Sequence, residues 1–244
     1  MRNFKITIQY DGTDYLGWQI QNQGRTIQGE LTKALTLLDR RQVIVHGAGR
    51  TDAGVHAEGQ VASFHFERNF SALELRDAIN GNLERDIRVM EVEEADERFH
   101  ARLSALGKSY RYRIWTGDVL IPFVRRYVHH YRGDLDMESM RRAASALVGT
   151  HDFSAFTVSS SQTATHIRTL KRLELFEDST EITIIAEADG FLRYMVRTIA
   201  GTLIDIGRGF REASEMGAIL ASGDRSSAGP CAPAAGLTLV RVDY

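Results

Sequence analysis

Gln42-Val43-Ile44-Val45-His46-Gly47-Ala48-Gly49-Arg50-Thr51-Asp52-Ala53-Gly54-Val55-His56-Ala57-Glu58-Gly59-Gln60-Val61-Ala62-Ser63-Phe64-His65-Phe66 divides into a β-branched run, a glycine-punctuated polar loop and an alternating run. The first run predicts a strand over residues 42–48, and the alternation predicts a half-buried strand over 60–66. The loop between them carries a carboxylate, Asp52, with Arg50 two residues before it. A loop held by two strands is a common place for a catalytic side chain. Asp and Gly are also ordinary turn residues, so the loop read in isolation is equally a plain turn. The flanking chain decides.

Upstream, Phe4, Ile6, Ile8 and Tyr10 alternate toward the turn signal Asp11-Gly12, and Ile27, Leu31, Ala34, Leu35 and Leu38 share a helical face. Downstream, Ser71 and Glu74 form a capping-box pattern before a helix bearing Leu75, Ala78, Ile79 and Leu83. Residues 87–92 read as a closing strand. The order is β-α-β-β-α-β.

The rest of the chain repeats that order. Tyr110, Tyr112 and Ile114 alternate with Ser109, Arg111 and Arg113, giving a strand with one aromatic and one cationic face. Asp136 caps a helix whose apolar side is Met137, Met140, Ala144, Leu147 and Val148. Residues 167–176 and 181–187 read as strands joined near Asp178-Ser179. Met195, Thr198, Ile199, Thr202, Leu203 and Ile206 mark a helix stopped by Gly207. A short helix over 214–221 and a loop with Pro230 and Pro233 lead to a last strand over 237–242. This is the split βαβ, ferredoxin-like order. The expected fold class is therefore α+β: two ferredoxin-like halves, residues 1–105 and 106–244, with their sheets meeting around a central basic cleft. Right-handed crossovers would put the helices on one face of each sheet and leave the other free.

Composition sets the bounds. A chain of 244 residues, 43% hydrophobic and 25% charged, is that of an ordinary soluble protein with one large or two smaller domains. Its apolar runs fall far short of the ~20 residues of a membrane span. Strand alternation begins at once after Met1, so no secretory leader is expected and a cytoplasmic location is. The single cysteine, Cys231, excludes an internal disulfide and a cysteine-based zinc site. The net charge of −2 does not advertise a polyanionic partner. Only Lys5, Lys33, Lys108 and Lys171 are lysine; every other basic residue apart from histidine is arginine, which forks onto phosphate and stacks on bases. Arginine-rich codon usage explains that bias at least as well. An RNA partner rests instead on local clusters at Arg40-Arg41, Arg111/Arg113, Arg125-Arg126 and Arg141-Arg142.

Two further stretches carry chemistry. In Lys108-Ser109-Tyr110-Arg111-Tyr112-Arg113 an aromatic face could stack a base, which contributes ~1–3 kcal/mol where unobstructed; Tyr112 is read as core. Phe191-Leu192-Arg193-Tyr194-Met195-Val196-Arg197 reads as helix, with Arg193 and Arg197 at i and i+4 on one side. Apolar neighbours leave Arg197 two readings, a buried arginine with an anionic partner or a snorkelling one.

Gly49 to Ala57, Lys108 to Tyr112 and Phe191 to Arg197 resemble the three signature stretches of the tRNA pseudouridine synthase A family. Tyr10-Asp11-Gly12, Gly17-Trp18-Gln19, Phe99-His100-Ala101-Arg102, His151-Asp152-Phe153-Ser154-Ala155-Phe156 and Val242-Asp243-Tyr244 extend the resemblance over nearly the whole chain. It implies an RNA-modifying isomerase that converts uridine to pseudouridine at positions 38–40 of the tRNA anticodon stem-loop. It also implies a homodimer, with no metal and no organic cofactor. Residue by residue, Asp52 matches the catalytic carboxylate and Arg197 the basic residue paired with it. Tyr110 matches the tyrosine that stacks on the target base, and Arg50 the arginine that helps hold the nucleotide out of its helix. The resemblance leaves open whether Asp52 attacks C1′ or removes a sugar proton.

Competing readings fail on particulars. Gly47-Ala48-Gly49 follows a strand but precedes another strand, so no helix N-terminus would face a pyrophosphate. His56-Ala57-Glu58 is the H-x-E of a zinc nucleobase deaminase, but the required P-C-x-x-C is missing with Cys231 alone. His129-His130, adjacent on a strand, would point to opposite faces and are read as surface or RNA-contacting rather than metal-binding. A non-catalytic RNA-binding protein on the same scaffold is the alternative function, and the joint presence of Asp52, Tyr110 and Arg197 favours the enzyme.

Overall fold

Phe4, Ile6, Ile8 and Tyr10 are all buried along β1 (Arg2–Tyr10) in the computed structural model, which describes residues 1–158 and 163–244. β1 pairs antiparallel with β3 (His56–Phe66), Phe4 opposite Phe64, and with β4 (Ile87–Ala95), Ile6 opposite Val92. A short β2 (His46–Gly47) pairs with β3. The order β4-β1-β3-β2 is that of the split βαβ unit. Stacked Phe4 and Phe64, with Phe66 edge-on to both, form the aromatic centre of this core; each such ring contributes ~1.5–3 kcal/mol on burial.

The two helices of this unit begin where local chemistry puts them. Thr26 accepts the Gly29 N–H and opens α1 (Ile27–Asp39), which buries Ile27, Leu31, Ala34 and Leu35. Ser71 and Glu74 form the expected reciprocal capping box at the start of α2 (Ala72–Gly81).

The expected strand over 42–48 is cut to two residues. The Val43 N–H donates to Thr36 Oγ1 (3.2 Å), and the Val45 carbonyl accepts from Gln28 Nε2 (2.8 Å). With its backbone satisfied by side chains of α1, this stretch needs no ladder. Nor is the second sheet face left free throughout. Asn3 Nδ2 donates to the carbonyls of Asp96 (2.8 Å) and Phe99 (2.9 Å), and Ser63 Oγ accepts the Ala101 N–H (3.0 Å), so residues 96–104 are fastened over that end of the sheet.

The chain divides into two compact units, Met1–Leu106 with Leu239–Tyr244, and Gly107–Thr238. The expected division at 105/106 assigned the whole terminal strand to the second half; β10 (Leu237–Asp243) instead contributes its last residues to the first unit, beside β3.

In the second unit β5 (Gly107–Trp115) pairs with β9 (Glu181–Ala188), β9 with β8 (Ile167–Asp178), and β8 with β7 (Gly149–Asp152), all antiparallel. Tyr112, Ile184 and Leu175 form one buried row across three strands, and Tyr110, Ala186 and Leu173 the next. β6 (His129–His130) adds a short parallel pairing to β5. His129-His130 reads as strand; β7 was not expected. Asp136 caps α3 (Met137–Ser145) as read, but the helix ends before Val148, which is exposed.

In α4 (Met195–Gly207), Gly207 is the last helical residue, where the sequence placed the stop. A Cβ there would fall 2.6 Å from Met140 Sδ, so this glycine permits close packing of α3 on α4. Arg208 caps the helix, with Gly209 in the left-handed region at φ +71°. α5 (Glu215–Ser222) follows.

Candidate active site

Asp52 lies in the loop between β2 and β3, part-buried, in a turn closed by the Val55 N–H donating to its carbonyl at 3.1 Å. The turn is built against the loop that follows β1. Trp18 N–H donates to the Thr51 carbonyl (3.0 Å), Gly54 N–H donates to the Tyr15 carbonyl (3.3 Å), and Gly12 N–H donates to His56 Nδ1 (3.1 Å). Gly17 has φ +90°, and a Cβ on it would lie 2.5 Å from Thr51 O and 2.9 Å from Asp52 C. A Cβ on Gly12 would overlap the Val55 carbonyl.

Below the turn, the buried Thr51 hydroxyl is 2.8 Å from Tyr10 Oη, and the fully buried Gln60 donates to the Gly49 carbonyl at 3.0 Å. Burial pushes the Tyr10 hydroxyl up to about 12, so at neutral pH it remains a neutral partner for Thr51. Asp52 is therefore presented on backbone fixed from two sides. Arg50, in the same loop, is exposed.

Tyr10-Asp11-Gly12 reads in the sequence as a strand end with its turn, and Gly17-Trp18-Gln19 as a supporting match. Their structural work is to clamp the Asp52 turn. A glycine two residues from an aromatic shows in sequence; the opposing carbonyl that demands it does not.

Tyr110 and Arg197 belong to the second unit. Tyr110 is 7% exposed on β5, its ring edge-on to Phe191 with centroids 5.1 Å apart. Tyr112 is core, as read: it is fully buried, its hydroxyl donates to the Pro233 carbonyl (2.9 Å), and burial raises its pKa. The cationic face of β5 is not wholly available for phosphate. Arg113 is engaged by Glu181 through two hydrogen bonds of 2.7 Å, a charge-assisted fork from the neighbouring strand.

The stretch 191–197 is not one helix. Tyr194 has φ +63°, ψ 0°, and α4 starts only at Met195. Arg193 and Arg197 therefore do not stand at i and i+4 of a common helix. Arg197, in the first turn of α4, donates from Nε to the Ala232 carbonyl at 2.8 Å, while the Ala232 N–H donates back to the Arg197 carbonyl at 3.0 Å. His129 and His130 are both part-exposed on β6. His129 is half-buried and edge-on to Tyr112, with its pKa lowered by burial and by His130; His130 Nε2 lies 2.9 Å from the Gly117 carbonyl. Among the described residues no group of three or more His, Cys, Asp or Glu could hold a metal ion, and no helix is long and apolar enough to cross a membrane.

The family model described as tRNA pseudouridine synthase matches residues 6–103 and 143–244. The tRNA pseudouridine synthase A 1 of Desulfotalea psychrophila is 43% identical over 253 aligned residues, spanning 100% of both chains. The tRNA pseudouridine synthase A 2 of Clostridium perfringens is 41% identical over 244 residues, again spanning 100% of both. The tRNA pseudouridine synthase A of Anoxybacillus flavithermus is 42% identical over 247 residues, spanning 100% of this chain and 99% of its own. The family-model match includes the stretches of Asp52 and Arg197, and the relatives align over the whole chain. The chain belongs to the tRNA pseudouridine synthase A family.

Proposed function

We propose that this isomerase converts uridine to pseudouridine at positions 38–40 of the tRNA anticodon stem-loop, with Asp52 acting at the ribose. Family membership establishes uridine isomerisation in tRNA. The observation that carries the finer reading is the fixed presentation of Asp52, in a turn whose neighbours on both sides are hydrogen-bonded to the loop after β1. A carboxylate held in this way is preorganised for one trajectory.

The reaction breaks the N1–C1′ bond, turns the uracil and joins C5 to C1′, with the C5 proton lost and one gained at N1. Substrate and product are isomers, so the step is redox-neutral and the proposal includes no cofactor. Asp52 must be ionised either to attack C1′ or to take a sugar proton. A guanidinium near it favours the ionised form against desolvation, and that is the role given to Arg197. Tyr110 replaces the stacking that the flipped base loses, and Arg50 holds the displaced nucleotide.

The test is tritium release from [5-³H]uridine-labelled tRNA by wild type and Asp52→Asn, beside filter binding of the same tRNA. Release by wild type only, with binding retained by both, supports the assignment. Release by Asp52→Asn at the wild-type rate removes Asp52 from the chemistry. Binding without release by wild type points to an RNA-binding module instead. Transcripts with a single uridine at 38, 39 or 40 test the position.

A further inference from the structure

Tyr194 is a non-glycine residue in the left-handed region immediately before α4, at φ +63° and ψ 0°, and its side chain supplies no cap to that helix. Such a conformation costs an L-residue with a Cβ ~1–2 kcal/mol, and a glycine here would avoid the cost. Strain of this kind persists where the surroundings over-determine it, and functional sites are where it collects. What the conformation achieves is visible in the side chains. The Arg193 guanidinium carbon lies 4.8 Å from the Tyr194 ring centroid and that of Arg197 5.3 Å, while Arg193 Nη2 donates to Tyr194 Oη at 3.0 Å. Arg197 is thereby gripped twice, at Nε by the Ala232 carbonyl and over its plane by an aromatic ring.

We propose that Tyr194 is a positioning residue that holds the Arg197 guanidinium in its working orientation, the left-handed backbone being the geometry that brings the ring under it. This inference rests on the role given to Arg197 above. Arg193 steadies the ring from its hydroxyl end. The aromatic face matters rather than the hydroxyl, so phenylalanine preserves the function and an aliphatic side chain of similar bulk does not. Glycine relieves the backbone but abandons Arg197.

Three variants, Tyr194→Phe, Tyr194→Leu and Tyr194→Gly, are compared with wild type for kcat, KM, the pH dependence of kcat and melting temperature, using tritium release from tRNA. Tyr194→Phe is expected to stay within about threefold of wild type. Tyr194→Leu and Tyr194→Gly should lose roughly five- to thirty-fold in kcat, the size of a part-buried cation–π contact, with KM changed less. The acid limb of their kcat profile should move to higher pH, because a loosened Arg197 leaves the Asp52 carboxylate less favoured in its ionised form. Tyr194→Gly should do so without losing thermal stability beyond what the missing ring explains. Equal kcat in all three variants overturns the proposal. So does a loss in Tyr194→Leu and Tyr194→Gly that is uniform across pH and tracks melting temperature, which marks Tyr194 as merely structural. An inactive wild type alongside an inactive Asp52→Asn rejects the functional reading itself, so the two failures are told apart.

Discussion

Replacing Gly17 by alanine should damage this enzyme twice. The backbone at Gly17 sits at φ +90°, which costs an alanine ~1–2 kcal/mol. The new methyl would also lie 2.5 Å from Thr51 O and 2.9 Å from Asp52 C. Restoring an ordinary contact requires the Thr51-Asp52 backbone to retreat by roughly 1 Å, and forced repacking of that kind costs ~1–3 kcal/mol. The sum is about 2–5 kcal/mol, or on the order of 10 °C in melting temperature at ~2–4 °C per kcal/mol. Displacing a reacting carboxylate by roughly 1 Å can lower turnover by about 10²-fold. Gly209→Ala is the matched control: φ is +71°, yet a Cβ there meets nothing within 4 Å. It should cost ~1–2 kcal/mol from backbone strain alone and leave turnover untouched. Calorimetry and tritium release on both variants decide the matter. A Gly17→Ala enzyme with wild-type turnover, or one no less stable than Gly209→Ala, would refute the claim that the β1 loop fixes Asp52.

Arg197→Met should abolish most turnover while leaving tRNA affinity within a few-fold; unchanged turnover would exclude Arg197 from the chemistry. With a net charge of −2, binding must depend on local arginines, so log K should fall steeply and linearly with log salt, by ~0.7–0.9 per neutralised phosphate; a flat plot would be incompatible with phosphate contacts by those arginines. Hydrogen bonding from Arg113 holds the Glu181 carboxyl below its ordinary value of 4.5. Because the folded-state value is the depressed one, the pair stabilises fully above pH 4.5 and its contribution disappears as pH falls through the lowered value. The melting difference between wild type and Glu181→Gln should therefore be constant from pH 7 to about 5 and close at lower pH; a gap unchanged at pH 3 would contradict this.

What could be read from the sequence was what local chemistry decides. The alternation of β1, the Ser71/Glu74 capping box and the Asp136 cap are each fixed by residues within a few positions of one another, and each is found where it was read. The failures have one cause, a partner distant in sequence. Val43 and Val45 have strand chemistry, but side chains of α1 take their backbone groups. Arg113 reads as a phosphate ligand until Glu181, on another strand, is seen to neutralise it. At the candidate site, the motif containing Asp52 was legible and the clamp around it was not. Tyr194 is the extreme case: the apolar spacing of 191–197 is helical, and no tyrosine advertises a positive φ.

The mixed allegiance of β10 also has a consequence in time. Leu239–Tyr244 complete the first unit, with Leu106 N–H donating to the Asp243 carbonyl and Tyr244 Oη to the Ala101 carbonyl. On the ribosome those residues appear only after all of Gly107–Thr238 has been made, a wait on the order of 10 s at ~5–20 residues per second. Throughout that interval the nascent first unit carries a β3 edge whose partner does not yet exist. An unfilled edge is a template for mispairing. Translation speed across the second unit thus sets how long the first one stays vulnerable, and slow synthesis there should lower the yield of folded enzyme even though no residue of the first unit has changed.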